Sequence, residues 1–112
     1  MPVSPLGIKT FDGHVRMAQV VFNGPASYTA NGEVATARDF GLDTILPGAV
    51  LIGTNASGVV THLAYITIGV DNGANRTLEG IRDCKVWINT IAGVAGSGDL
   101  SAVTFKGIVF GH

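Results

Sequence analysis

Three histidines, one cysteine and a glycine-rich hexapeptide are the residues of this 112-residue chain with the most chemical potential. His14, His62 and His112 lie far apart in sequence, without the short spacing to Cys, His or carboxylate that a zinc site shows. His62 reads as a sheet residue at a strand entrance, and His112 as a mobile last residue. Cys84 opens an apolar strand and reads as a small buried hydrophobe rather than a reactive thiol; as the single cysteine it can form no intrachain disulfide. Gly93-Val94-Ala95-Gly96-Ser97-Gly98 has the glycine content of a phosphate-binding turn. Such a turn must open a helix whose N-terminal amides hold the anion, and here the next residues alternate as a strand. No G-x-S-x-G elbow and no paired-carboxylate spacing occurs, so the sequence supports neither an enzyme nor a cofactor or metal site. A hydrolase site assembled from distant Ser, His and carboxylate residues remains a rival reading. Asn55-Ala56-Ser57 and Asn75-Arg76-Thr77 match the glycosylation pattern; without a secretory signal they read as loop asparagines.

Composition narrows the functions further. A formal charge of -1, with the seven Lys and Arg scattered, argues against a nucleic-acid surface. The longest apolar runs are too short to span a bilayer as a helix, and MPVSPLG lacks the basic start and apolar core of a secretory signal. The expectation is no membrane partner and a mature chain equal to the translated one. Charged residues make up 13% of the chain and hydrophobic ones 46%. A surface so poor in charge suits a subunit that buries area against partners.

The elements that position these residues are strands. Thr61 to Asp71 alternates, with Ala64, Ile66, Ile68 and Val70 on one side and Leu63, Tyr65, Thr67 and Gly69 on the other, which predicts a central strand. Further strands are expected over His14–Asn23, Ala49–Thr54, Thr77–Ile81, Cys84–Ile91 and Val103–Phe110, with Gly93–Gly98 a flexible loop. Thr36 is placed to cap a single helical turn through Phe40, closed by Gly41, with Phe40, Leu42 and Ile45 pointing inward. Leu46-Pro47-Gly48 suits a type II turn. Pro2 and Pro5 predict that residues 1–10 form an extended, unpaired arm, its Val3 and Leu6 free to lie on a neighbouring subunit. Residues 11–112 then form one all-β domain, an antiparallel β-sandwich of about six strands, jelly-roll-like, with at most one short helical turn.

Two aromatic residues stand out on this frame. If Val86 and Ile88 face the core, Trp87 faces away from it, as does Tyr65 when Ile66 and Ile68 are buried. An outward Trp is a frequent interface anchor unless a second layer covers it.

Two segments carry a family likeness. Tyr28-Thr-Ala-Asn-Gly-Glu-Val-Ala-Thr followed by Phe40-Gly-Leu-Asp-Thr-Ile, and the closing Gly98-Asp-Leu-Ser-Ala-Val-Thr-Phe-Lys-Gly-Ile-Val-Phe-Gly, resemble small structural proteins of tailed bacteriophages. The likeness runs from about Val20 onward and is closest to capsid decoration, or cement, proteins. It implies a β-sandwich or jelly-roll subunit without a catalytic site. It implies a homotrimer on the outer surface of the virion head, binding the major capsid protein and tying capsomers together. The arm residues Pro2, Val3, Pro5 and Leu6 would then touch the shell, with Tyr65 and Trp87 in the subunit interface. The Asp71–Arg82 connection is longer than the tight hairpin of that pattern, and the MPVSPLG arm lies outside it. The alternatives are a carbohydrate- or ligand-binding β-sandwich module, either of a phage fibre or tail component or a host lectin, and a tail or connector protein.

Overall fold

The computed structural model describes residues 4–11 as backbone, and residues 15–69, 73–77 and 80–112 in full. The central run of the sequence is strand β5 (Val60–Ile68), flanked by β4 (Val50–Thr54) and β8 (Asp83–Thr90). Around them stand β1 (Ser4–Phe11), β2 (Val15–Asn23), β3 (Glu33–Thr36) and β9 (Thr104–Gly111). Among the described residues these seven strands form one curled antiparallel sheet in the order β1-β2-β9-β4-β5-β8-β3. A separate ribbon pairs β6 (Arg76–Thr77) with β7 (Gly80–Ile81).

The expected all-β antiparallel domain with one short helical turn is therefore the fold, and the core lies within the curl of a continuous sheet. Ala18, Val20 and Phe22 of β2 meet Phe105 and Val109 of β9, Leu51 of β4, Ala64 and Ile66 of β5, and Val86 and Ile88 of β8. The Phe22 and Phe105 rings stack with centroids 5.2 Å apart. Each buried Leu, Ile, Val or Phe contributes about 1.5–3 kcal/mol relative to exposure, so a core of this size needs no disulfide.

The segment after β3 closes the curl. Thr36 precedes a 3-10 turn over Ala37–Phe40, with the Asp39 carboxylate accepting the Thr36 N–H at 2.9 Å. Gly41 ends the turn in the left-handed region at φ 80°, where a Cβ would be strained. Phe40, Leu42 and Ile45 point inward, as their spacing predicts. Ile45 then bridges Ile81 on one side and Gly111 on the other, while the N–H groups of Asp43 and Thr44 both donate to the His112 carbonyl. His112 is thus tied down through its backbone rather than mobile.

Two strands depart from the sequence expectation. Residues 4–11 are extended, as expected of the arm, but they pair with β2 from Ser4 onward, with a register shift between Pro5 and Gly7. An edge strand needs its N–H groups on one side only, and a bulge absorbs the mismatch that Pro introduces. Pro2 and Val3 fall outside the described residues, and so does His14. Strand β3 carries a single buried residue, Ala35, and has too little apolar pattern to be read; pairing to the open edge of β8 makes it a strand. The Gly93–Gly98 loop is also more ordered than expected: Ala95 bridges Asn89, and Gly98 bridges Tyr28.

Candidate interaction surface

Because side chains alternate along every strand, the face opposite the core is fixed by the same register. Trp87 lies directly across from Tyr65, and Tyr65 across from Val50. Leu63 faces Ile52, and Ile52 faces Lys106 of β9, which in turn faces Val21 of β2. Ile108 and Phe110 continue the row along β9. The result is an apolar outer face that remains open: Val50 is 57% exposed, Ile52 49%, Phe110 41% and Ile108 40%. Two shallow hollows flank the Pro47–Gly48 turn, one against Ile108 and Phe110 with a volume of about 440 Å³, the other against Tyr65 and Thr67. Gly48, at φ 100°, supplies the positive φ that a type II turn needs at its third position. A second exposed apolar group, Val59, Val60, Ile91 and Val94, sits at the loop ends beside β5 and β8.

Tyr65 and Trp87 thus share one face, both half-buried. The Trp87 indole Nε1–H donates to the Thr67 hydroxyl at 2.6 Å, and Lys85 Nζ lies 5.3 Å from its ring centroid while donating to the Asn31 carbonyl at 2.9 Å. The turn at Gly32 passes so close that an added Cβ would stand 3.2 Å from the indole. Trp87 is therefore partly covered by its own chain, and the openness of the face lies at β4 and β9. Sequence reasoning overlooked Val50, Ile52, Ile108 and Phe110. Their signal was present as strands apolar on both sides, Val50-Leu51-Ile52 and Ile108-Val109-Phe110, but which side meets the core depends on register.

His62 is half-buried, its Nδ1 hydrogen-bonded with the Thr61 hydroxyl at 2.8 Å. Among the described residues no group of three His, Cys, Asp or Glu could hold a metal ion. Cys84 is fully buried, and burial, aided by the nearby Asp39 and Asp83 carboxylates, pushes its thiol up to about 12. That is the inert hydrophobe its strand position predicts.

The two sequon asparagines do structural work. Asn55 Oδ1 accepts the N–H groups of Ser57 and Val59, which closes the β4–β5 turn. Asn75 is buried rather than a plain loop residue: its Oδ1 accepts the Arg82 N–H at 3.0 Å and also the Asp83 N–H, and its Nδ2 donates to the Asp83 carbonyl at 2.9 Å. The Arg82 guanidinium adds a bond to the Ala74 carbonyl. In the closing Asp-Leu-Ser run, Asp99 accepts the Ser101 N–H at 2.9 Å, and the Ser101 hydrogen bonds hold its carboxyl below the usual range. Tyr28, which begins the other quoted segment, is buried, and its hydroxyl accepts the Ile88 N–H at 2.8 Å.

Within the described residues the arrangement leaves a row of large apolar side chains exposed on the outer face. No family model, no curated protein and no solved structure matches this chain.

Proposed function

We propose that this chain is a capsid decoration protein of a tailed bacteriophage, a homotrimer that binds the major capsid protein on the outer surface of the head and ties capsomers together. The observation that carries the reading is the outer sheet face at β4 and β9, where four large apolar side chains stay 40% or more exposed on a chain with 13% charged residues. Large apolar side chains left exposed together on one face favour an association surface. The short motifs around Tyr28–Thr36, Phe40–Ile45 and Gly98–Gly111 supply the likeness to cement proteins.

The role asks for no chemistry. A shell strained from within gains when each added subunit bridges two or more of its neighbours, because separation then breaks several contacts at once. Tyr65 contributes to the contact between copies, with Trp87 bracing it from the next strand. Pro2, Val3, Pro5 and Leu6, at and before the start of the edge strand β1, reach the major capsid protein.

The native mass of the purified protein, measured by light scattering behind size exclusion, tests the trimer, which requires about three times 11.5 kDa. Sedimentation with empty heads that lack the protein tests the shell. Binding to heads supports the proposal. Failure to bind them, together with selective binding on a glycan array, would replace it with a carbohydrate-binding module.

A further inference from the structure

The chain contains the pairs Asn23-Gly24, Asn31-Gly32 and Asn72-Gly73. An Asn-Gly pair can modify itself, because the glycine nitrogen can attack the asparagine side-chain carbonyl carbon and no Cβ shields that nitrogen. The reaction needs a side-chain amide free to turn and a main-chain N–H that can give up its proton.

At Asn23 the fold withholds both. Its Oδ1 accepts the Thr104 hydroxyl at 3.2 Å, and the N–H of the buried Gly24 donates to the Val103 carbonyl at 2.9 Å. Asn31 stands in a different setting. It is exposed in the turn before β3, and among the described residues nothing holds its side-chain amide. The Gly32 N–H donates to the Thr29 carbonyl at 3.2 Å, the long end of the range for such a bond. Lys85 Nζ donates at 2.9 Å to the Asn31 carbonyl, which belongs to the same peptide unit as the Gly32 N–H. When the Gly32 nitrogen loses its proton, negative charge spreads onto that carbonyl oxygen, so the ammonium stands where charge develops. The Trp87 ring, 5.3 Å from Nζ at its centroid, steadies Lys85 there. Asn72 falls outside the described residues.

We propose that Asn31-Gly32 is a site of spontaneous deamidation promoted by Lys85. The Gly32 nitrogen bonds to Asn31 Cγ, the Cγ–Nδ2 bond breaks, and ammonia leaves carrying the Gly32 proton, which gives a cyclic imide. Water then opens the ring at one carbonyl or the other, leaving aspartate, or isoaspartate with one extra carbon in the main chain. Either product adds a negative charge at the turn that Lys85 holds and that passes against the Trp87 indole. This reading is independent of the trimer.

The test is a time course of the folded wild type and of Lys85→Met in mildly alkaline buffer, with conversion at Asn31 and Asn23 followed by peptide mapping and mass spectrometry. Lys85→Met keeps an apolar stem beside Trp87 and removes the charge. A cation open to water is screened, so its loss should slow Asn31 about two- to fivefold. The same comparison in denaturant should show no effect of Lys85→Met. Asn31 converting well ahead of Asn23 in the folded wild type, and slowed by Lys85→Met only in the folded protein, supports the proposal. Asn31 that stays intact or only keeps pace with Asn23 overturns it, and an unchanged Asn31 rate in folded Lys85→Met overturns the role of Lys85. Asn23 staying protected in the variant, with unchanged far-ultraviolet circular dichroism, shows that the variant is folded.

Discussion

The Tyr28 hydroxyl replaces a strand that ends too soon. Strand β3 pairs with β8 only from Asp83 to Val86, so the β8 edge beyond it lacks a ladder partner. The Ile88 N–H instead donates to the Tyr28 hydroxyl at 2.8 Å, and the Ile88 carbonyl accepts the Gly96 N–H, also at 2.8 Å. Tyr28 is 3% exposed and Ile88 is fully buried, so water has no route to stand in. Tyr28→Phe keeps the ring and its packing but strands one buried amide donor. A buried donor left without a partner costs about 1–3 kcal/mol, against well under 1 kcal/mol for an exposed hydroxyl. At an m-value of about 1–3 kcal/mol/M, the urea midpoint should fall by roughly 1 M with m unchanged. Thermal unfolding should shift down by roughly 10 °C at the same protomer concentration. Amide hydrogen exchange gives the local readout: the Ile88 N–H should lose protection beyond the global change, while Ala64 in the middle of β5 follows the global change alone. A Tyr28→Phe protein within 0.5 kcal/mol of wild type, with Ile88 equally protected, would refute the assignment of this bond as the edge cap.

Asn75→Ala removes three hydrogen bonds at the start of β8 and should destabilise by about 2–4 kcal/mol, read by denaturant unfolding, with early proteolysis in the ribbon region. Cys84 gives a pH prediction. Its thiol stays protonated in the folded state up to about 12, against 9.0 for an ordinary exposed thiol, so between these values the folded state binds more protons than the unfolded one. Stability from this group is complete below pH 9 and declines as pH rises through the window to 12; Cys84→Ala should flatten that decline in a pH series of unfolding curves. At pH 8 the thiol should resist alkylation until the protein unfolds, as followed by mass spectrometry. Trp87→Ala should weaken association more than folding, because the indole rests on Thr67 and Lys85 outside the core. A variant that stays fully trimeric yet melts far lower would place Trp87 among the core residues. Gly111→Ala sets a Cβ against the Thr44 carbonyl and the Ile45 backbone, and should open the Ile45 bridge at a cost of about 1–3 kcal/mol, visible as lost protection of the Ile81 amide.

Local rules written into the sequence decided the strands and turns. Alternation in β5 and β8 named the buried side of each, because a side chain's side of a strand depends only on its parity. Thr36 and Gly41 specified the 3-10 turn, and Leu46-Pro47-Gly48 the turn into β4, because cap and turn chemistry act within four residues. Tertiary structure decided what distance in sequence conceals. The Ser4–Phe11 arm became an edge strand because β2 offered it a free edge, and Glu33–Thr36 became a strand because β8 did. Asn75 and Tyr28 acquired buried hydrogen bonds to residues 7 to 60 positions away, which no local pattern encodes. The open face of Val50, Ile52, Ile108 and Phe110 follows from the register of β4 against β5 and β9. In strands apolar on both sides only pairing settles which side is buried, and so which side is left for a partner.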